Sequence, residues 1–465
     1  MVSLTKLKEN RWNRYRIWKP LGLLSVAGLT PAEWDITIID ENLGVRDYSS
    51  LPKPDLVGIT AFTSQSSRAY EVSDEFRRRG IPVVMGGIHA TMCQDEALQY
   101  VDAVVTGEAE NVWPDVLHDT RQHKLKRIYS GQYTDLANIP LARHDLLNTG
   151  YTFGAIQTTR GCPLNCSFCS VSAFNGNRYR HRPIEQVIAE FKRIKEKWVL
   201  IVDDNLIGIT STHIEQAKEL FRALIQADLG KCWIGQATIN MADDEELMTL
   251  AVKAGCRGVF IGFESPNPEG LEEVGKKFNL LKGRDFRESV RRLQRHSILV
   301  VGSFIMGLDT DEAGIGKRIA KTANHYGVDV LNALFLTPLP GTRLWDRMKS
   351  ENRIAANNFP DDWKYYTLGF PTAFYKNFSQ ADILEEMITC DRDFYSLWNI
   401  FQRICRNFLP KRHPVLSLVS NLSYRKNTRL TQRTYRKLLW RIQNKALSRL
   451  RTVANDRLIM TTTGS

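Results

Sequence analysis

Three cysteines, Cys162, Cys166 and Cys169, share the run Gly161-Cys162-Pro163-Leu164-Asn165-Cys166-Ser167-Phe168-Cys169. Their C-x3-C-x2-C spacing puts three thiolates on one short loop, where they can hold three corners of a small iron–sulfur cluster. Soft sulfur ligands suit such a cluster, whereas a structural zinc ion takes four protein ligands and this loop offers three. A [4Fe–4S] cluster held by three cysteines keeps one iron open, and an open iron can bind and activate a ligand. The other cysteines, Cys93, Cys232, Cys256, Cys390 and Cys405, are scattered along the chain. They read as small buried hydrophobes and not as a disulfide framework.

The elements that must carry this loop are legible as alternating strands and helices, so the fold class is α/β. A core at residues 146–376 has six strand candidates: Ala155–Thr159, Val199–Asp203, Trp233–Thr238, Gly258–Glu264, Val300–Gly307 and Val328–Thr337. Helical stretches such as Ile184–Lys195, Ile214–Ile225, Glu245–Ala254 and Arg284–His296 lie between them. Six βα units imply a partial TIM-like (β/α)6 barrel whose chemistry sits at the carboxyl ends of the strands. The cysteine loop follows the first of these strands. Asp203-Asp204-Asn205 ends the second strand, Glu264-Ser265 the fourth, and Gly307 the fifth.

Ahead of the core, residues 1–145 read as a Rossmann-like, doubly wound α/β domain. Its strand candidates are Asp35–Asp40, Leu56–Ala61, Pro82–Gly86 and Ala103–Thr106, with an amphipathic helix at Ser67–Arg79. Such sheets bind ligands at the carboxyl ends of their strands. There Thr63, Ser64, Gly86, Gly87, Thr91 and Glu108 offer small or polar residues that let a flat group approach the backbone. Met1–Lys19 is polar and basic, without a buried-strand pattern, so the first strand of the domain is expected to be missing. Residues 377–465 form a basic helical C-terminal region.

The cysteine loop, with the aromatic Phe168 before its last cysteine, resembles the signature of radical S-adenosylmethionine (radical SAM) enzymes. Residues 20–376 resemble the class with a preceding cobalamin-binding domain, through Pro20-Leu21-Gly22-Leu23-Leu24, Gly86-Gly87-Ile88-His89-Ala90-Thr91 and Gly107-Glu108-Ala109-Glu110. Thr337-Pro338-Leu339-Pro340-Gly341-Thr342 and the helical extension resemble a subgroup some of whose members methylate hopanoid lipids. The resemblance implies three cofactors: a [4Fe–4S] cluster on Cys162, Cys166 and Cys169, SAM, and cobalamin. Phe168, Asp203, Asp204, Glu264, Ser265 and Gly307 would then contact SAM. Thr63, Ser64, Gly86, Gly87, Thr91 and Glu108 would line the cobalamin groove. The Asp-x-His-x-x-Gly motif that supplies a histidine to cobalt in methionine-synthase-like domains is absent, so His89 is not expected to ligate cobalt. The implied reaction is methylation of an unactivated carbon after SAM cleavage to a 5′-deoxyadenosyl radical. Its substrate would be a small molecule or lipid, and its electron donor flavodoxin- or ferredoxin-like. A cyclase, oxidase or rearrangement enzyme with a vestigial cobalamin domain stays open, as does a membrane-tethered iron–sulfur sensor.

Charge separates the tail from the body. Residues 401–465 hold 15 Lys and Arg against one acid, Asp456, while the rest of the chain holds 48 basic and 50 acidic side chains. A nearly neutral body argues against a nucleic-acid channel through the core. Most of Arg160 and Arg178–Arg182 beside the cysteine loop read as surface charge, with a cation that helps hold an anionic group near the cluster as the alternative. The tail reads either as a helical cap with a solvated basic face or as a peripheral contact with an anionic membrane. For the second reading, Tyr435, Leu438, Leu439, Ile442, Ala446 and Leu450 supply an apolar stripe, joined by Trp12, Tyr15 and Trp18. An earlier stripe runs through Phe394, Leu397, Trp398, Phe401, Ile404, Cys405 and Phe408. No run of about 18 apolar residues could span a bilayer, and no secretory signal opens the chain. The expected location is the cytoplasm, with contact at the inner membrane face as the peripheral option.

Overall fold

The computed structural model describes residues 19–462, apart from 45, 148–149 and 407–413. Trp12, Tyr15, Trp18 and Phe408 lie outside the described residues, as do the side chains of Ile442, Ala446 and Leu450. Two parallel sheets organise the rest. The first takes β1 (Val57–Thr60), β2 (Val83–Gly86), β3 (Ala103–Thr106) and β4 (Ile128–Ser130) side by side in chain order. Between them run α2 (Ser66–Arg78), α3 (Ile88–Met92), α4 (Gln94–Tyr100) and α5 (Trp113–Arg121), and α1 (Leu21–Leu29) precedes the sheet. Val83, Met85, Ala103 and Val104 are fully buried, as strands covered by helices on both faces require.

The expected strand Asp35–Asp40 is corrected: among the described residues it joins no ladder. Its end is tied elsewhere. The Asp40 carboxylate caps the turn Glu41–Leu43 by accepting from the Asn42 N–H (3.0 Å), and it also accepts from the Tyr151 hydroxyl.

The second sheet has six parallel strands, in the order β10-β9-β8-β7-β6-β5: β5 (Phe153–Ile156), β6 (Trp198–Ile201), β7 (Cys232–Gln236), β8 (Cys256–Glu264), β9 (Leu299–Met306) and β10 (Val330–Phe335). Chain order and spatial order coincide, the winding of a partial barrel. Helices α6 (Ser170–Asn175), α7 (Ile184–Arg193), α8 (Ser211–Ala227), α9 (Glu245–Lys253), α10 (Pro268–Glu273), α11 (Phe286–Arg295), α12 (Ile315–Tyr326) and α13 (Arg343–Ser350) complete the units. Phe191, Phe221, Trp233, Phe263 and Phe304 fill a continuous core between sheet and helices.

Three further helices follow: α14 (Gln380–Phe394), α15 (Leu397–Arg406) and α16 (Pro414–Thr462). Tyr435 and Leu439 of α16 are buried in the barrel's own core, where the Tyr435 ring meets Phe335 and Phe370. The expectation that the Tyr435 stripe faces a membrane is therefore corrected for its described members. Burying these side chains against the barrel is what fixes the helix to the body.

Candidate active site

Strand β5 delivers the chain to the cysteine loop, and three neighbouring elements brace it. The Ser167 N–H donates to the Val274 carbonyl (3.1 Å) after α10, and the Leu344 N–H of α13 donates to the Ser167 carbonyl (3.0 Å). The Arg343 guanidinium donates to the Asn165 carbonyl. Within the loop the Cys169 N–H donates to the Cys166 carbonyl (3.3 Å), closing a tight turn. Burial pushes the Cys166 thiol up to about 12 and the Cys169 thiol to about 11, and the cysteines raise one another. A metal centre that binds these thiols must displace their protons. The donor set fits a three-cysteine iron–sulfur cluster: three mutually interacting sulfurs on one braced turn, with the remaining cysteines on other elements. Among the described residues, no three His, Cys, Asp or Glu side chains close on a single ion.

The sequence expectations missed one buried cation at this site. Lys276, just after α10, forms an ion pair with Glu264 at the end of β8, both nearly inaccessible to solvent. Burial pulls the ammonium's pKa down, but the Glu264 carboxylate beside it more than offsets this and raises it. Gly262 leaves room for the pair, because a Cβ there would lie 2.1 Å from Glu264 Oε1 and 2.4 Å from Lys276 Nζ. No motif in the sequence links positions 264 and 276; they meet because α10 folds back onto the strand end.

The aspartates of Asp203-Asp204-Asn205 divide their work. Asp203 is fully buried and accepts from the Thr158 N–H (2.6 Å) and the Thr158 hydroxyl. Burial pushes its carboxyl up to about 6. It thereby ties β6 to the start of the cysteine loop. Asp204 accepts from Asn175 Nδ2 (3.0 Å) and stands close enough to Cys162 and Cys169 to raise their pKa values. Asn205 is buried beside Cys162, and hydrogen bonding from its side chain works against the burial that raises the thiol's pKa. Ser265 is turned inward, its hydroxyl accepting from the Asn267 N–H (3.1 Å). Gly307 lies under the Tyr375 ring and donates to Asp311 (2.9 Å), so it presents no open backbone. Phe168 packs on the barrel core.

At the carboxyl edge of the first sheet lies a cleft of about 660 Å³. Thr91, Gly107 and Glu108 line one side, Ala173 and Phe174 of α6 the other, with Arg178 at its border. Thr91 ties two turns together, donating to the Gly87 carbonyl (2.9 Å) and accepting from the Gly107 N–H (3.0 Å). Gly107 has φ 67°, and a Cβ there would meet the Gly131 carbonyl oxygen at 2.4 Å. Such a backbone-walled groove suits a broad flat ligand.

The other residues expected at this edge are engaged within the protein. The Thr63 side chain is buried, with Ser64 beside it in the same turn, and neither they nor Gly86 and Gly87 line the cleft. The Glu108 carboxylate is not free for a ligand. It accepts from Arg180 (3.0 Å at one oxygen), Arg160 (3.2 Å) and the Thr134 N–H (2.7 Å). Burial would raise its pKa, but these donors outweigh burial and hold it below the ordinary carboxylate range. Arg160, Arg180 and Arg182 are thus not surface charge. Arg160 also pairs with Glu110, and Arg182 with the buried Glu190 (2.8 Å). His89, on α3, is fully buried, hydrogen-bonded to the Tyr70 hydroxyl (2.8 Å) and set against the Trp363 ring.

The family model of the radical SAM superfamily matches residues 156–314, and that of the B12 binding domain matches residues 12–117. The chain is a radical SAM protein with an N-terminal B12-binding domain. This radical SAM protein is 29% identical over 405 residues to the bacteriochlorophyllide d C-12(1)-methyltransferase of Chlorobaculum tepidum, covering 83% of this chain and 84% of the relative. It is 27% identical over 344 residues to the hopanoid C-2 methylase of Rhodopseudomonas palustris, covering 72% and 65%. In fold it is similar to the radical SAM methyltransferase TsrM of Kitasatospora setae, at TM-score 0.65 and 16% identity, covering 94% of this chain and 98% of that one. The family's cofactors are a [4Fe–4S] cluster, SAM and cobalamin, and the thiol loop and the cleft are the places that suit the cluster and the corrin. The family also implies a small-molecule substrate and a supply of electrons. Among the described residues no helix is long and apolar enough to cross a membrane.

Proposed function

We propose that this radical SAM protein transfers a methyl group, by way of cobalamin, to an unactivated carbon of a small molecule or lipid. The observation that carries the reading is the pair of walls around the 660 Å³ cleft. One wall belongs to the first sheet, and the other is α6, which starts directly after Cys169. A flat ligand in the cleft is therefore one short helix away from the three thiols. When bound, the cluster with SAM supplies a 5′-deoxyadenosyl radical and the methylated corrin supplies the methyl group.

The chain's own residues position and shield. Cys162, Cys166 and Cys169 would hold the cluster, and Asp204 with the Asn205 amide beside Cys162 would accept and donate hydrogen bonds to the amino acid end of SAM. Lys276 and Glu264 hold a fixed ion pair beside the thiols, and Thr91 keeps the Gly87 and Gly107 turns in register around the cleft. The methyltransferases among the relatives support methyl transfer. The same reading has the protein work in the reducing cytoplasm with a flavodoxin- or ferredoxin-like donor, and its free thiols are compatible with that compartment.

The test is anaerobic reconstitution with iron, sulfide, hydroxocobalamin and methyl-labelled SAM. Deoxyadenosine and label on the corrin are expected together. Deoxyadenosine without cobalamin uptake would move the function to a cyclase or oxidase, and a cluster that never cleaves SAM would leave a redox sensor.

A further inference from the structure

The exposed apolar side chains of the described surface concentrate on α15 and the first turns of α16. Of the eleven large apolar side chains left exposed among the described residues, seven sit on these two helices. Leu397, Trp398 and Phe401 share one face of α15 at 56–66% exposure, and Trp398 stacks on Phe401 at 6.0 Å. On α16, Val415, Leu418, Val419 and Leu422 are 38–72% exposed. Monomers in water rarely leave so contiguous an apolar surface uncovered.

Helix α16 has two faces of different purpose. The inner face is held by the body: Asn421 donates to the Asp329 carbonyl (3.0 Å) and accepts from Arg403 (2.9 Å), and Tyr435 donates to the Gly369 carbonyl (2.6 Å). The outer face continues from Leu422 through Lys426, Arg429, Arg433 and Arg436, all exposed. Steps of three and four residues keep these positions in one line along the helix. Between Phe394 and Asn455 the chain has no Asp or Glu, so nothing in the segment itself counters this charge.

We propose that this outer face docks the protein on an anionic lipid surface. Trp398, Phe401 and the first turns of α16 would enter the boundary between headgroups and acyl chains, and the cations from Lys426 to Arg436 would lie against lipid phosphates. The charge decides between occupants. A second copy would cover the apolar side chains but would bring two strongly basic segments together. A nucleic acid would answer the cations and leave Trp398, Phe401 and Val419 in water. An anionic bilayer answers both, and with no described helix able to span it, the contact is superficial. The proposal does not depend on the reaction catalysed.

Flotation of the full chain with vesicles of phosphatidylcholine, alone or with phosphatidylglycerol, tests it. The wild type is expected to float with the anionic vesicles and to be released by salt, since screening acts within about 10 Å at 0.1 M. A variant with Arg429→Gln, Arg433→Gln and Arg436→Gln is expected to bind about 100-fold more weakly, because each surface cation contributes about 1 kcal/mol. A variant with Trp398→Ser, Phe401→Ser and Val419→Ser is expected to lose binding with its thermal midpoint unchanged. Failure of the wild type to float, or flotation of both variants like the wild type, would overturn the proposal. So would a serine variant that turns a dimer into a monomer in light scattering while vesicle binding persists, or tight binding to RNA without binding to vesicles.

Discussion

Around the thiols, at the carboxyl edge of the six-stranded sheet, the ionisable side chains are buried and engaged: Lys276 with Glu264, Asp203 with Thr158, Asp204 with Asn175. The carboxyl edge of the four-stranded sheet instead stays open as a 660 Å³ cleft with backbone walls. A small charged cofactor is held by groups organised before it arrives, in a site where low dielectric magnifies each charge. A broad ring system needs room more than charge. The ionic joint between the two edges, Glu108 with Arg160 and Arg180, has the character of the first edge although Glu108 also lines the second.

The largest effect is expected from Lys276→Met, which strands Glu264 in a buried site. Removing one partner of a buried pair costs about 3–5 kcal/mol, which urea unfolding of the apo-protein would read as a lowered midpoint. Adding Glu264→Gln should recover a large part of the loss. If the single variant unfolds like the wild type, the two edges do not differ in the way described.

A smaller effect is expected at the joint. Glu108→Gln removes charge-assisted hydrogen bonds of about 1.5–3 kcal/mol and should speed proteolysis between the two sheets. Because the folded-state pKa of Glu108 is lowered, its contribution is full above the ordinary carboxylate pKa and fades as pH falls through the folded value. The thermal midpoints of wild type and Glu108→Gln should therefore differ at pH 7 and converge toward the acid limb. A constant gap down to the lowest pH would show that charge is not what joins the edges.

The smallest effect belongs to the open edge. Thr91→Val keeps the shape but leaves the Gly107 N–H without its acceptor, a loss of about 1 kcal/mol. Stability should hardly change, while retention of hydroxocobalamin on gel filtration should drop. Unchanged retention would mean that the Gly107 turn does not shape the cleft.

How much of this was legible differs between elements. The cysteine loop could be read because three ligands for one cluster must be close in sequence to share a turn. The barrel strands could be read because parallel strands buried on both faces are short apolar runs between helices, and each expected strand overlaps the observed one. Asp35–Asp40 has the composition of a strand, yet a ladder needs a neighbour, and its last residue is engaged with Asn42 and Tyr151 instead.

The sequence by itself determined the local chemistry: which loop can bind metal, which segments become strands and helices, and where positive charge accumulates. Tertiary structure alone decided which charges would be spent inside the molecule. Arg160 and Arg180 looked like solvated cations until Glu108, 52 and 72 residues earlier, was brought against them. Tyr435 and Leu439 could have capped the body or faced a membrane; the barrel covered them and left Trp398, Phe401 and Val419 exposed. Periodicity records that a helix has an apolar side. Which neighbour that side meets depends on contacts between distant parts of the chain, and spacing along the sequence carries no trace of them.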